Sequence, residues 1–189
     1  MHGSLLYGFK QYVLTRHGAD AWNTVVRAAG AEGWYHSTRS YPDGELANLV
    51  QAAATLQGEP VPKVLEEFGE ALVPTLMSLY GAFLLPSWKT LDLLVHVEGV
   101  IHRPVRRTDP GAAPPRLVAR RVSDNEVQIE YSSPRRLCSV AMGICRGVAA
   151  HYGEQVSVEQ PECMHRGARS CLVVVQLQPQ QGPPPHRAR

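Results

Sequence analysis

The sequence predicts an α+β fold, with a helical N-terminal part and a C-terminal antiparallel sheet with packed helices. Three observations carry that expectation. Up to about residue 103, apolar residues recur at helical intervals. From Arg116 onward the pattern changes to alternation, which suits a strand with one buried face. Two such runs, Arg116 to Val122 and Glu126 to Tyr131, are joined by Ser123, Asp124 and Asn125, a hairpin connection. Helices first and strands afterwards make segregated layers, not a βαβ succession.

The elements follow in order. Leu5, Phe9, Tyr12 and Val13 recur at helical spacing in a helix over Leu5 to His17, with Gly18 as its stop. Asp20 can cap a second short helix, Ala21 to Ala29, ended by Gly30. Residues Gly30 to Pro42 read as loop. Asp43 starts the helix Glu45 to Gln57, which carries Leu46, Leu49, Val50 and Ala53 on one face. Pro60 to Pro62 open Val64 to Tyr80, kinked or interrupted at Pro74. Pro86 and Ser87 open a long apolar helix from Trp88 to Arg103, and Pro104 should end or bend it. After the hairpin, Leu137 to Tyr152 is helical, and Glu154 to Glu159 and Cys171 to Leu177 read as two further strands. The expected organisation is one domain over 1–177. Residues 178–189, rich in Gln and Pro, form an expected disordered tail.

The 189 residues, 44% of them hydrophobic, suffice for a sizeable core. A net charge of +2 and the lack of a Lys/Arg run argue against a nucleic-acid groove. The densest basic stretch (Arg103, Arg106, Arg107, with Arg116, Arg120 and Arg121 nearby) reads as a solvated face. No apolar run approaches the roughly 18 residues of a membrane span, and the N-terminus lacks the pattern of a secretory signal. A cytoplasmic protein is expected, with no membrane partner. Its four cysteines are then thiols or metal ligands, not disulfides. No nucleophile–base pair, phosphate loop or carboxylate dyad stands out, so the expectation is a non-enzyme.

One constellation carries chemistry. His102 is followed by twelve residues and then Pro115; Tyr131 comes 16 residues after that proline and opens the triplet Tyr131-x-Ser133-x-Arg135. A neutral imidazole can ligate iron. A phenol, a hydroxyl and a guanidinium can together hold a pair of carboxylates. A porphyrin with two propionates needs both. On an extended segment, residues at i, i+2 and i+4 share a face, so the three side chains can converge on one ligand. A lone histidine on an apolar helix is ordinarily a satisfied core imidazole, and the helix position alone does not decide the matter. His96 competes, but six residues, about 600° of helical rotation, turn it away from His102.

The order and spacing of His102, Pro115 and the triplet, with the Met-x-Gly start Met1-His2-Gly3, resemble the haem nitric oxide/oxygen binding (H-NOX) family. This is the haem domain type of soluble guanylate cyclase and bacterial haem sensors. The resemblance covers Met1 to about Leu177 and implies the same α+β layout, with haem b between the helical part and the sheet. It places the iron ligand on His102, a porphyrin-distorting proline on Pro115, and the propionate anchors on Tyr131, Ser133 and Arg135. It maps the distal wall onto Leu5, Phe9, Val140 and Ile144, with Val140 where oxygen-binding members carry a tyrosine. All four are apolar, and Tyr7 and Tyr12 lie off that stripe. Bound dioxygen needs a hydrogen-bond donor and nitric oxide does not, so the wall implies nitric oxide and carbon monoxide as ligands.

The resemblance also implies a zinc site from Cys138, Cys163 and Cys171, as in some bacterial members. Gln160 stands where those members have a histidine, and glutamine is a poor zinc ligand. His165 can substitute for it. Free thiols or a redox-responsive cysteine pair are the alternatives, and Cys145 is expected to be a buried thiol. The implied function is a nitric oxide sensor. Ligation would weaken the His102–iron bond, free the surrounding helix and signal to a separate histidine kinase or diguanylate cyclase. Two other readings stand beside it. One is a haem-free regulatory module of the vinyl-reductase-like type, binding a small molecule or zinc. The other is an interaction domain that kept the fold without its ligand.

Overall fold

The computed structural model describes residues 1–37, 39–108 and 113–179. The expected disordered tail lies, from residue 180 on, outside the described residues. Helix α1 (Gly3–Ala29) carries the first two expected helices as one element with a break. At Gly18 the backbone leaves the helix (φ 84°, ψ 175°) and re-enters it. That left-handed φ is open to glycine at little cost, so the chain turns there without a loop. Helix α2 (Asp43–Gln57) ends on Gly58 in the left-handed conformation. Helix α3 (Val61–Tyr80) carries Pro62 in its first turn and continues through Pro74.

The largest departure from expectation lies near His102. In place of one helix from Trp88 to Arg103 there are three segments. Helix α4 (Thr90–Val97) leads into a π turn (Glu98–His102), and α5 (Arg103–Thr108) follows directly. Pro104 therefore neither ends nor visibly bends the element; it sits in the first turn of α5. The wider π turn moves the carbonyls of the preceding turn away from the proline ring, and a first-turn residue needs no intrahelical N–H bond.

Strands β1 (Arg116–Ser123), β2 (Glu126–Ser132), β3 (Val156–Glu162) and β4 (Cys171–Leu177) form an antiparallel sheet in the order β1-β2-β4-β3. The expected hairpin is β1–β2, with Leu117 opposite Tyr131. Val127, Ile129, Val173 and Val175 point inward and are at most 4% exposed. They pack with Leu91 and Leu94 of α4. A second core joins α1, α2 and α3 around Phe9, Leu49 and Phe68.

Helix α6 (Cys138–His151) touches both cores. Val140 and Ile144 face the helical core, and Met142 and Cys145 face the sheet core. Its crossing with α3 is a backbone-to-backbone contact. A Cβ at Gly143 would overlap the carbonyl oxygen of Glu66, and one at Gly69 would overlap that of Val140. These two glycines let α3 and α6 lie closer than any side chain would allow.

Candidate haem site

His102 closes the π turn. Its side chain is half-buried, 17% exposed, and its Nδ1 is shielded from solvent without a hydrogen bond of good geometry. The nearest charged group is Glu98, four residues earlier, with Oε2 at 3.4 Å from Nδ1. Burial holds the imidazole pKa below its usual 6.5, against the opposing pull of Glu98 and of the Pro115 carbonyl. A neutral imidazole is the form that ligates a metal. The competitor His96 is exposed, stacks on Trp88 at 4.6 Å, and has Nδ1 2.8 Å from the Asp92 carbonyl.

The loop before β1 joins His102 to the triplet. Arg106 Nη1 donates to the Pro115 carbonyl at 3.1 Å, and the same guanidinium pairs with Glu98. From the other side, Arg135 Nη1 donates to the Ala113 carbonyl at 2.7 Å. Ala113 has a positive φ of 38°, unusual for a residue with a Cβ and more so before a proline. The residues just before β1 thus accept from Arg106 on one side and Arg135 on the other, and the Pro115 carbonyl lies beside His102.

Within the triplet, Tyr131 and Ser133 are buried. The Ser133 Oγ accepts from the Arg135 amide at 3.3 Å. Burial pushes the Tyr131 phenol up to about 12, with hydrogen bonds from Ser133 and the Leu137 amide opposing. It therefore stays a neutral donor at physiological pH. Arg135 has partners that the sequence did not indicate. Its Nε donates to Asp43 Oδ1 at 2.9 Å, and Asp43 also pairs with the Met1 amine at 2.7 Å. The N-terminus, α2 and the triplet therefore meet at one carboxylate. The Met-x-Gly start gains a physical reason too: a Cβ at Gly3 would strike the His36 carbonyl.

The four distal candidates come together. Phe9 and Val140 belong to one buried cluster, and Leu5 and Ile144 pack against it. Tyr12, expected off that stripe, instead packs in the same cluster with its ring 5.8 Å from that of Phe9, and its hydroxyl donates to Glu67 at 3.1 Å. Tyr7 is 41% exposed.

Cys138, Cys163 and Cys171 also converge, with all three sulfurs within 4.8 Å of one another. Cys163 Sγ lies 3.8 Å from Cys138 Sγ and 3.9 Å from Cys171 Sγ. Ligands on a tetrahedron with metal–sulfur bonds of about 2.3 Å stand roughly 3.8 Å apart, and the two separations from Cys163 match that spacing. Burial would raise the Cys163 thiol, but the His165 and Arg166 amides and the two neighbouring thiols bond to it and hold it below its usual value. Cys171 is pushed up by burial. His165 stands outside the trio, its Nε2 2.8 Å from the Arg136 carbonyl. Gln160 has a buried amide nitrogen without a partner among the described residues. Cys145 is buried elsewhere, in the sheet core, as expected.

Sequence reasoning missed Glu98, Arg106 and Asp43. Glu98 left a signal, since it is a lone carboxylate on an otherwise apolar stretch, one turn before the candidate ligand.

The comparisons agree on one family. The haem-NO-binding family model (HNOB) matches residues 2–160. The crystal structure of an H-NOX protein from S. oneidensis in the Fe(II)NO ligation state is 28% identical, with a TM-score of 0.86 over 94% of this chain and 99% of that one. An NMR structure of a Shewanella oneidensis H-NOX domain in the Fe(II)CO ligation state is also 28% identical, with a TM-score of 0.83 over 95% of this chain and 99% of that one. The Fe(II) unliganded H-NOX protein from K. algicida is 18% identical, with a TM-score of 0.84 over 97% of this chain and all (100%) of that one; this is a likeness of fold. No curated protein matches the chain.

Proposed function

Since the chain belongs to the haem-NO-binding family, whose H-NOX homologues are haem-based gas sensors, we propose that it is a nitric oxide sensor holding haem b through His102. The observation that carries the reading is the segment from Ala113 to Pro115, bonded by Arg106 and by Arg135, with the Pro115 carbonyl beside His102. The residues present fit the group. His102 offers a half-buried, neutral imidazole whose shielded Nδ1 lacks a hydrogen bond. Tyr131, Ser133 and Arg135 offer neutral and charged donors for two carboxylates. Haem supplies a ferrous iron able to take up a diatomic gas.

This chain's residues set the rest. The wall of Leu5, Phe9, Val140 and Ile144 is apolar, and the Tyr12 hydroxyl is already bonded to Glu67. That wall favours nitric oxide and carbon monoxide over dioxygen, which needs a donor. The protein's output is a change in the position of the His102 segment, read by a separate histidine kinase or diguanylate cyclase. Such a partner must contact the two positions differently, or no signal passes.

The test is the optical spectrum of the reduced protein, alone, in air and with nitric oxide. We expect about one haem per chain, a five-coordinate ferrous spectrum, a change with nitric oxide, and none in air. A protein that takes up no haem would refute the sensor, and a long-lived oxygen complex would refute the selectivity.

A second assignment rests on the cysteine trio. We propose that Cys138, Cys163 and Cys171 bind zinc as thiolates, supported by their sulfur spacing. His165 can complete the set if its ring leaves the Arg136 carbonyl. Elemental analysis should find about one zinc per chain, lost in Cys163→Ser. Metal-free protein with four alkylated thiols would leave these as ordinary cysteines.

A further inference from the structure

Glu98, which the resemblance does not implicate, is the nearest charged group to His102. Its carboxylate is 18% exposed and opens the π turn that His102 closes. One oxygen pairs with Arg106. The other accepts the Leu117 amide at 3.2 Å and lies 3.4 Å from His102 Nδ1. A carboxylate has about four lone-pair sites, so these partners do not compete. Leu117 lies on β1, an edge strand bonded to β2 on one side only. Its amide points off the free edge, and Glu98 satisfies it. Arg106 makes a second tie to the same place through the Pro115 carbonyl.

We propose that Glu98 is the positioning residue of His102. It selects the Nδ1–H tautomer, so that the Nε2 lone pair is left for a metal, and it fastens the ring to the start of β1. Two physical points support this. A ligating histidine commonly gives its other ring N–H to a carboxylate, which fixes the ring and raises its basicity. And a shift of a few tenths of an ångström closes the 3.4 Å gap into a hydrogen bond, which would satisfy the buried Nδ1. The π turn, α5 and the β1 edge then move with the ring as one unit. The proposal rests on His102 being the iron ligand.

The experiment compares Glu98→Gln with Asp92→Asn in the haem-loaded ferrous protein, using the iron–histidine stretching band in resonance Raman. Asp92 is the control because it also links α4 to β1, through Arg121 at 2.8 Å, without touching His102. Glu98→Gln removes the charge but keeps the shape. It should shift the band to lower frequency and speed histidine release on nitric oxide addition roughly ten-fold or more, while Asp92→Asn leaves both at wild-type values. An unshifted band in Glu98→Gln overturns the proposal, and so do equal shifts in the two variants, which would mean a merely structural tie. If the wild-type chain takes up no haem, the sensor reading falls instead. The positioning role is then read from the ring nitrogens by ¹⁵N NMR: an Nδ1–H tautomer upholds it and an Nε2–H tautomer overturns it.

Discussion

His102 stands among charges. Glu98, Arg106 and the carbonyl of Pro115 surround one side of the site, joined by a chain of hydrogen bonds from α5 to β1. The proposed distal wall, Leu5, Phe9, Val140 and Ile144, belongs to an apolar cluster on helices that pack closely through glycines. The difference separates two tasks. The polar side can fix a ligand's direction and pass on its displacement, because each hydrogen bond names a partner. The apolar side can only admit or refuse by shape and by the lack of donors.

Breaking the polar side should have the largest effect. His102→Gly should remove the only protein bond to iron, and added imidazole should restore a five-coordinate ferrous spectrum. A wild-type spectrum in that variant, with loss in His96→Ala, would move the ligand to His96. Next in size is the packed side. Gly143→Ala drives a Cβ into the Glu66 carbonyl, and overpacking of this kind costs about 1–3 kcal/mol or more. Denaturant unfolding should register that loss with the slope unchanged; a neutral result would mean that α3 and α6 can part freely.

The rim between the two sides sharpens the contrast further. Arg135→Ala should speed haem loss more than Ser133→Ala. A charge-assisted hydrogen bond contributes roughly 1.5–3 kcal/mol and a neutral one about 1. Equal loss rates would remove the arginine from the clamp. The smallest effect concerns acid. The bond from the Met1 amine, then Arg135, holds the Asp43 carboxyl below its ordinary 3.8. Asp43 therefore adds stability above that value, and the contribution fades as pH falls through the lower folded value. Asp43→Asn should flatten the loss of stability between about pH 5 and pH 2, and identical acid profiles would show that the junction contributes nothing.

Much of this was legible in the sequence, for a definite reason. The helices α2, α3 and α6 and the strands β1, β2 and β4 are set by local periodicity, and local periodicity survives folding; β3, expected over Glu154 to Glu159, runs instead over Val156–Glu162 without alternating burial. The elements that escaped depend on distant partners or on backbone register. No residue pattern announces a π turn, so Pro104 looked like a terminator where the turn accommodates it. Gly18 looked like a stop where it is a break within α1. Asp43 and Arg135 are 92 residues apart in sequence, and nothing short of the fold relates them. The triplet and the cysteine trio were found because their spacing matched a known family, not because their chemistry is self-evident.

The α3–α6 crossing has a consequence for any survey of tolerated substitutions. Gly69 and Gly143 offer no side chain to a ligand, yet a Cβ at either position meets a backbone carbonyl of the facing helix, that of Val140 or of Glu66. In a saturation screen both positions would exclude every other residue type as firmly as His102 does. Intolerance would then mark three sites alike, although one acts through a lone pair and the other two through the absence of any atom at all. Only a readout of haem separates them: His102 variants should fold and lose the iron bond, whereas the glycine variants should lose the fold first.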